Sequence, residues 1–251
     1  MSLTLGTGPA DPVNARAGVG YASPQTWCFA VEPGVGEVEA ELPLGAPIEV
    51  ADGDELRFVV FPESAAEDER RWEATYVCVD GFLDDGRRLS EIGVVDQYGQ
   101  ALTPGAQGDG RRAWVDQWNL RRVALTGLAG RRLERFLVVV RAADVPLRLW
   151  VDDVVVGPAR VLPAEPLDQV DTRRGTHSSD RFSRGNNAPL VGLPHGGVFG
   201  LPMTDAAAGN WPYAWHAHNR DTGGGPNRPA IEAFATSHIP SPWMGDHGVF
   251  Q

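Results

Sequence analysis

The residues best suited to chemistry lie in the last third of the chain, between residues 170 and 251. All six histidines occur there, at positions 177, 195, 216, 218, 238 and 247. Two runs in this region, PheSerArgGlyAsnAsn at 182–187 and HisIleProSerProTrpMetGlyAsp at 238–246, combine polar, aromatic, glycine and proline residues. That composition is typical of ordered loops that hold a ligand.

Five side chains in these runs are candidates for binding a substrate. They are Arg184, Asn186, His238, Trp243 and Asp246. Such polar groups hydrogen-bond the hydroxyls of a sugar, and an indole ring stacks on its C–H face. The alternative for the second run is structural, with ProSerProTrp locking a turn and burying the indole.

Acidic side chains of this region are the candidates for breaking a glycosidic bond, which requires two carboxylates flanking that bond. They are Asp171, Asp180, Asp205, Asp221, Glu232 and Asp246. No two of them have a spacing that fixes such a pair, so the sequence predicts no catalytic residue. His216 and His218 would share one face of a strand, but no third ligand is spaced to complete a zinc motif. A nucleophile elbow and a phosphate-binding loop are also missing from the sequence.

Four motifs in the same region carry a resemblance to a known family. They are ValAspThrArgArgGlyThr (170–176), PheSerArgGlyAsn (182–186), ProLeuValGlyLeuPro (189–194) and PheAlaThrSerHisIleProSerProTrpMetGlyAspHisGly (234–248). In order and spacing they resemble the start of glycoside hydrolase family 92, over about residues 168–251. ProHisGlyGly at 194–197 departs from the family pattern, since His195 stands where that pattern has an aromatic ring.

The resemblance implies an exo-acting α-mannosidase that removes α-mannose from glycans with inversion and with the help of calcium. Its fold would be an N-terminal β-sandwich followed by a helical (α/α)6 domain. The acid, the base and most calcium ligands of the family come from the helical domain, which would begin beyond Gln251. This chain is therefore expected to be inactive by itself. The alternative is a stand-alone carbohydrate-binding or structural accessory module without catalysis.

The first 160 residues have the periodicity of strands, which predicts an antiparallel β-sandwich of the jelly-roll kind. Short runs rich in Val, Phe, Tyr and Leu occur at 48–50, 55–61, 74–79, 123–125, 135–141 and 147–156. LeuArgPheValValPhe (56–61) predicts a strand with one face in water, whereas PheLeuValValVal (136–140) predicts one covered on both faces.

A proline-rich stretch at 157–167 predicts a stiff linker and a domain boundary near residue 163. The predicted domains are a galactose-binding-like β-sandwich at 1–162 and, at 163–251, the truncated start of a second β-sandwich. GlyValPheGln at the end of the chain is strand-like, so an unpaired edge is expected there. Such an edge favours a homodimer or a tucked C-terminus.

The run TrpValAspAspValValVal at 150–156 resembles the closing strand of galactose-binding-like jelly rolls, in which an Asp often helps to hold a structural calcium ion. Asp152 and Asp153 are therefore the candidate metal ligands. Calcium binds six to eight oxygens, and successive strand residues point to opposite faces, so two adjacent carboxylates only begin such a site. The alternative is a charged strand end without a metal.

Aromatic residues of the first domain supply a candidate carbohydrate platform. GluIleGlyValValAspGlnTyrGlyGlnAlaLeu (91–102) and TrpValAspGlnTrpAsnLeuArgArgVal (114–123) resemble the domain that precedes the hydrolase in some members of the family. Tyr98, Trp114 and Trp118 would form the platform. The alternative is that these rings pack in the core. Trp72 and Trp150 are expected to be core residues.

Charge and hydropathy exclude several partners. The net charge is −11, and all 22 basic residues are arginine. An acidic chain is not suited to a nucleic-acid backbone. No apolar run approaches the roughly 20 residues of a membrane-spanning helix, and the first residues do not have the pattern of a signal peptide. The compartment, secreted or cytoplasmic, stays open.

Cys28 and Cys78 are predicted to be free buried thiols, with a disulfide as the alternative.

Overall fold

The computed structural model of the protein describes residues 1–13, 15, 17–45, 47–64, 72–161, 163–170, 188–194, 196–204, 206–207, 213 and 231–237, and the backbone of 247–250. Contacts divide the chain into two compact units. The first unit comprises residues 1–11 and 17–160, and the second comprises 12–16 and 161–251. The division between residues 160 and 161 lies within the proline-rich stretch of the sequence.

Strands dominate the described part of the first unit. They are β1 (Ser2–Gly6), β2 (Thr26–Val31), β3 (Glu37–Leu42), β4 (Ile48–Glu49), β5 (Asp54–Pro62), β6 (Val77–Leu83), β7 (Asn119–Ala124), β8 (Arg132–Arg141) and β9 (Leu147–Pro158). One short helix, α1 (Pro104–Asp109), lies between β6 and β7. The Thr103 hydroxyl caps it by accepting the Ala106 N–H at 3.3 Å, and Pro104 begins the first turn, where proline fits.

The nine strands form two antiparallel sheets. Sheet A has the order β1-β2-β9-β5-β7. In sheet B, β8 pairs with β6, β3 and β4. Since β6 occupies one edge of β8 along most of its length, β3 and β4 share the other edge as two parts of one interrupted strand. From β2 onward, each connection then crosses from one sheet to the other, which is how a jelly roll winds. The prediction of an all-β sandwich is confirmed.

The two sheets bury one continuous core between them. Sheet A contributes Phe29, Leu56 and Phe58, each at most 1% exposed, and sheet B contributes Leu133 and Val138, which are fully buried. On β5 and β8, the alternate side chains that face inward are all apolar, as the strand period requires. Burial of these large side chains supplies the main driving force for folding of the unit.

The central strands also have covered outer faces. On β8, Leu137 and Val139 are buried against Cys78, so the prediction of a strand covered on both faces is confirmed. On β5, Val59 and Phe61 are buried as well, at 0% and 1% exposure, so the prediction of one wet face is wrong there. The reason is tertiary, because the loop that carries Trp118 packs over Phe61.

The predicted strands agree with the structure in position but not in every boundary. The run at 74–79 begins as a 3-10 turn at Glu73–Thr75, and β6 starts at Val77. β1, β3 and α1 were not predicted. β1 and β3 are edge strands in the sheet order, with half or more of their residues exposed, and both alternate polar and apolar residues as half-buried strands do.

The described part of the second unit contains a three-stranded antiparallel sheet. Its order is β10-β11-β12, formed by β10 (Phe199–Met203), β11 (Ala233–Ser237) and β12 (His247–Phe250). Leu201, Met203, Ala233 and Ala235 are buried in a small apolar cluster. This unit is therefore also β-structured.

Both cysteines are free and buried, which confirms the prediction from the sequence. Burial raises the pKa of each thiol, and most strongly that of Cys78. The Cys78 Sγ lies 3.2 Å from the carbonyl oxygen of Leu102, to which it donates a hydrogen bond. Within the described residues, no helix has the length and apolar character needed to cross a bilayer.

Candidate functional site

Two acidic side chains project from the same face of sheet A because β9 is irregular at this point. The pairing of β5 with β9 shifts register between Arg57 and Val59, so β9 carries an extra residue there. Asp153 adopts a left-handed conformation with φ of 49°, which Asp tolerates better than most residues. Val154 packs on the core. Asp152 and Asp153 thus share the outer face, and the expectation that they point to opposite faces is wrong.

Asp152 holds a loop of the N-terminal region against the sheet. Its Oδ2 accepts the backbone N–H groups of Tyr21 at 2.7 Å and Ala22 at 3.2 Å, and its Oδ1 accepts the N–H of Asp153 at 2.7 Å. Gly20 approaches so closely that a Cβ there would lie 2.6 Å from Oδ2. Asp152 is therefore a positioning residue for Tyr21.

Tyr21 and Trp118 form an aromatic pair on this face. Their ring centroids are 5.9 Å apart with an interplanar angle of 61°, an edge-to-face contact. Trp118 also packs edge-on to Phe61 at 5.3 Å and is partly buried by it. Tyr21 is 47% exposed. The pair thus presents an aromatic surface to solvent that is anchored on the outer side of the sheet.

Asp153 lies beside this pair and is partly buried. Within the described part of the chain, the carboxylate has no hydrogen bond and no ion pair. Burial raises the pKa of Asp153, the positive charge of Arg57 opposes that rise, and Asp152 adds to it. Burial also raises the pKa of Tyr21, and the negative charge of Asp153 raises it further. The geometry agrees, because Arg57 lies opposite the bulge that contains Asp153, and the Tyr21 N–H donates to the neighbouring Asp152.

Arg57 completes the group; its side chain is 35% exposed, although its Nε is buried. Its Nε lies 3.7 Å from Glu55 Oε1 and has no hydrogen-bond partner among the described residues. Glu55 instead binds Arg122 closely, since its Oε2 lies 2.9 Å from Arg122 Nε and 2.8 Å from Nη2. We call Tyr21, Trp118, Asp153 and Arg57 the outer-face cluster. It combines rings, a hydrogen-bond acceptor and a hydrogen-bond donor.

The other two predicted platform residues lie in different contacts. Tyr98 is at the tip of a turn, where the Asp96 Oδ1 accepts the N–H groups of Tyr98 and Gln100, each at 2.9 Å. The Tyr98 ring faces the guanidinium groups of Arg121 at 5.5 Å and Arg112 at 5.8 Å. Tyr98 is 47% exposed, so it offers a ring to solvent, but over arginine rather than beside Trp118.

A buried ion pair fixes the turn that carries Tyr98. Arg121 Nε donates to Gln107 Oε1 at 2.7 Å and lies 3.3 Å from Asp96 Oδ2. Both side chains of the ion pair are at most 2% exposed. Burial lowers the pKa of Arg121, and the Asp96 carboxylate opposes that change. This network joins the turn to β7 and to α1, and its role is structural.

Trp114 is held near the start of β7. Asn119 Oδ1 accepts the Trp114 N–H at 2.9 Å, and Asn119 Nδ2 donates to the Trp114 carbonyl at 2.8 Å. The indole packs edge-on to Trp72 at 5.3 Å and is 48% exposed. No ring contact in the described part of the chain joins Trp114, Tyr98 and Trp118 into one surface. Trp150 is 8% exposed, in keeping with its expected core position.

The residues around Asp152 and Asp153 do not fit a calcium ion. Two carboxylates supply at most four of the six to eight oxygens that calcium requires. The Asp152 oxygens already accept three N–H groups, and the positive charge of Arg57 lies next to Asp153. No group of three or more His, Cys, Asp or Glu residues suited to a metal occurs among the described residues. Calcium in this protein remains a prediction from the resemblance.

The five candidate substrate-binding residues of the tail, Arg184, Asn186, His238, Trp243 and Asp246, lie outside the described residues. So do His195, His216 and His218. Of the six acidic candidates, Glu232 is described. Its Oε2 accepts the Ala206 N–H at 3.0 Å, so this carboxylate supports the sheet of the second unit.

Sequence reasoning missed Tyr21 and Arg57. Tyr21 follows AlaGlyValGly at 17–20 in a stretch without strand periodicity, and its link to Asp152 spans 131 residues of sequence. Arg57 lies inside a predicted strand, where a charged residue signals only an outward position. No local signal reports either role.

No known protein-family model matches this chain, and no curated protein matches it either. The outer-face cluster and the sequence motifs are therefore what bears on function.

Proposed function

We propose that this chain binds carbohydrate through the outer-face cluster, as the accessory part of a sugar hydrolase related to the α-mannosidases. The carrying observation is the contact of Tyr21 with Trp118 beside the Asp153 carboxylate, which pairs with no described residue. A sugar has an apolar C–H face and a rim of hydroxyls, so a site for it needs rings together with polar groups that are not already paired.

The position of the cluster supports this function. The group is built on β5, β9 and two loops held by a packed sandwich, so its side chains are set before a ligand arrives. Asp152 fixes the Tyr21 loop, and Phe61 and Trp150 support Trp118 from below. Few side chains of the site must become ordered on binding, and this lowers the entropic cost of binding a small ligand.

The mannoside class rests on the resemblance of residues 168–251 to family 92. The motif at 234–248 overlaps β11 and β12, so a segment that resembles a β-sandwich start forms strands. In that family the acid, the base and most calcium ligands belong to a helical domain, so the role proposed for this chain is binding rather than hydrolysis. A stand-alone carbohydrate-binding module is the second candidate, because the outer-face cluster lies wholly within the first unit.

Isothermal titration calorimetry with α-mannobiose, α-mannotriose, galactobiose and cellobiose tests the proposal. The protein should bind at least one of the mannosides, and Tyr21→Ala should weaken that binding about ten-fold or more, as expected for an aromatic anchor. Trp114→Ala is the matched control, since Trp114 is equally exposed but outside the cluster.

Three outcomes would overturn parts of the proposal. Absence of binding to all four sugars would remove carbohydrate recognition. Loss of binding in Trp114→Ala with none in Tyr21→Ala would move the site to the Trp114 region. Hydrolysis of an aryl α-mannoside at a rate abolished by Glu232→Gln or Asp246→Asn would contradict the accessory role.

A further inference from the structure

We propose that the outer-face cluster recognises a neutral sugar through two adjacent hydroxyls and discriminates against sugars that carry a carboxylate or a phosphate. One hydroxyl donates to the Asp153 carboxylate, and its neighbour accepts from the Arg57 guanidinium. This inference rests on the proposed carbohydrate binding and adds the ligand class and the residues that select it.

The spacing of the two charged groups supports a bridging ligand. Arg57 and Asp153 lie at the same bulge, since Arg57 pairs with Val155 and Val59 pairs with Asp152, yet no ion pair within 4.0 Å joins these two described residues. A guanidinium and a carboxylate that are close but not in contact leave room for groups that both donate and accept. Hydroxyls on adjacent ring carbons are such groups, because each hydroxyl has one donor and two acceptor positions.

The position of Asp153 requires an unfavourable backbone conformation. Its left-handed conformation, with φ of 49°, exists because of the β-bulge, and it turns the carboxylate out beside Tyr21. Bulges commonly re-aim a side chain next to a functional site. Burial of a carboxylate without a partner disfavours its charged form, and a ligand hydroxyl would supply the missing hydrogen bond.

The local charge excludes anionic ligands. Around the site, the positive charges of Arg57 and Arg122 are matched by Glu55 and Asp153, and Asp152 adds one further negative charge. The whole chain carries a net charge of −11, which also repels anions. An acidic sugar could reach Arg57 only beside Asp153 and Asp152, and the negative charges of these two carboxylates oppose its binding.

The test compares three ligands and three variants by calorimetry at neutral pH. The ligands are α-mannotriose, mannose 6-phosphate and glucuronic acid. The variants are Asp153→Asn, Arg57→Lys and, as the control, Glu39→Gln. Asn tolerates the left-handed conformation as Asp does, so Asp153→Asn should keep the fold. Glu39→Gln makes the same chemical change to a carboxylate on sheet B that pairs with Arg88.

Mannotriose should bind at least about ten-fold tighter than either anionic sugar. Asp153→Asn should weaken mannotriose binding about ten-fold or more, as expected on losing a hydrogen bond to a charged group. Arg57→Lys should also weaken it, since Lys does not reproduce the planar fork, and Glu39→Gln should leave it unchanged.

Anionic sugars binding as tightly as mannotriose would overturn the inference, and so would Asp153→Asn with unchanged affinity and unchanged melting. If Tyr21→Ala loses mannotriose while Asp153→Asn keeps it, carbohydrate binding stands and this inference alone fails. Absence of binding to every sugar by the wild type would overturn both.

Discussion

The outer faces of the two sheets carry similar residue types but use them differently. On sheet B, Phe82 lies under the guanidinium groups of Arg135 at 4.0 Å and Arg88 at 4.8 Å, and Tyr76 lies under Arg141 at 3.4 Å. On sheet A, Tyr21 and Trp118 contact other rings, and no arginine lies over either of them in the described part of the chain.

The charged side chains on the outer faces of the two sheets also differ in their pairing. On sheet B, Glu39 forms a two-pronged pair with Arg88 at 2.9 and 3.2 Å, and Glu41 lies 3.5 Å from Arg135. On sheet A, Asp153 forms no ion pair within 4.0 Å in the described part of the chain, although Arg57 lies nearby. These rings and charges on sheet B pair with each other, whereas on sheet A Glu55 pairs with Arg122 but Tyr21, Asp153 and Arg57 are left available. A candidate site is therefore recognised by what is not paired rather than by residue type.

The largest expected effect concerns the closed packing on sheet B. A Cβ at Gly108 would lie 2.3 Å from the Tyr76 ring, which Arg141 covers from another direction. Gly108→Ala should therefore destabilise the protein by about 1–3 kcal/mol, the usual cost of overpacking. Chemical denaturation measures this change. Gly105→Ala in the same helix is the control, since no atom lies within 4 Å of its added Cβ, and equal effects of the two would contradict the packing argument.

The next effect concerns the support of the sheet A site. Asp152→Ala removes the acceptor of the Tyr21 and Ala22 N–H groups, so we expect a loss of about 1–2 kcal/mol in stability and a loss of mannotriose binding. Asp152→Asn keeps one acceptor oxygen and should give an intermediate effect. Urea unfolding and calorimetry together check this, and full binding by Asp152→Ala would show that the loop needs no such support.

A smaller effect compares two surface arginines. Arg135→Gln removes the guanidinium over Phe82 and should cost about 0.5–1 kcal/mol. Arg148→Gln on sheet A should cost almost nothing, since Arg148 is 60% exposed and lies 3.7 Å from Glu63. Thermal unfolding of both variants measures the difference. Equal losses of stability in the two variants would contradict the proposed difference between the outer faces of sheets A and B.

The smallest effect is a pH dependence at Asp153. Because the pKa of Asp153 is higher in the folded protein than in the unfolded chain, ionisation of this group lowers stability as pH rises through that pKa. Asp153→Asn should therefore become slightly more stable than the wild type above this pH, when it is followed by thermal unfolding. Wild-type mannotriose affinity should rise over the same pH range, because the ionised carboxylate is the stronger acceptor. If the stability of the two proteins changes with pH in the same way, the first expectation is contradicted. If the mannotriose affinity of the wild type does not change over this pH range, the second is contradicted.

Much of the first unit was predictable because its strands have strong local patterns. The run at 135–141 is apolar at nearly every position, and β8 forms there with both faces covered. β3 was missed although GluValGluAlaGluLeu alternates charged and apolar residues, which is the pattern of a half-buried strand. The buried outer face of β5 was also missed, since the loop that covers it comes from residues more than fifty positions later.

The candidate site shows the same limit. Trp118, Asp152 and Asp153 were each selected from the sequence, but for separate purposes. Only the pairing of β5 with β9 and the hydrogen bonds of Asp152 bring Trp118, Asp153 and Tyr21 onto one face. Tyr98 and Trp114, which are as aromatic and as exposed as Tyr21, lie in other contacts.

The sequence by itself determined that the first unit is an all-β sandwich, because hydrophobic periodicity is local and each strand reports its own buried face. It also determined which aromatic and acidic residues were available. The tertiary structure decided which of them meet, through a one-residue bulge in β9 and a loop held across 131 positions of sequence. Such contacts depend on register and on partners distant in the chain, and no local pattern encodes either.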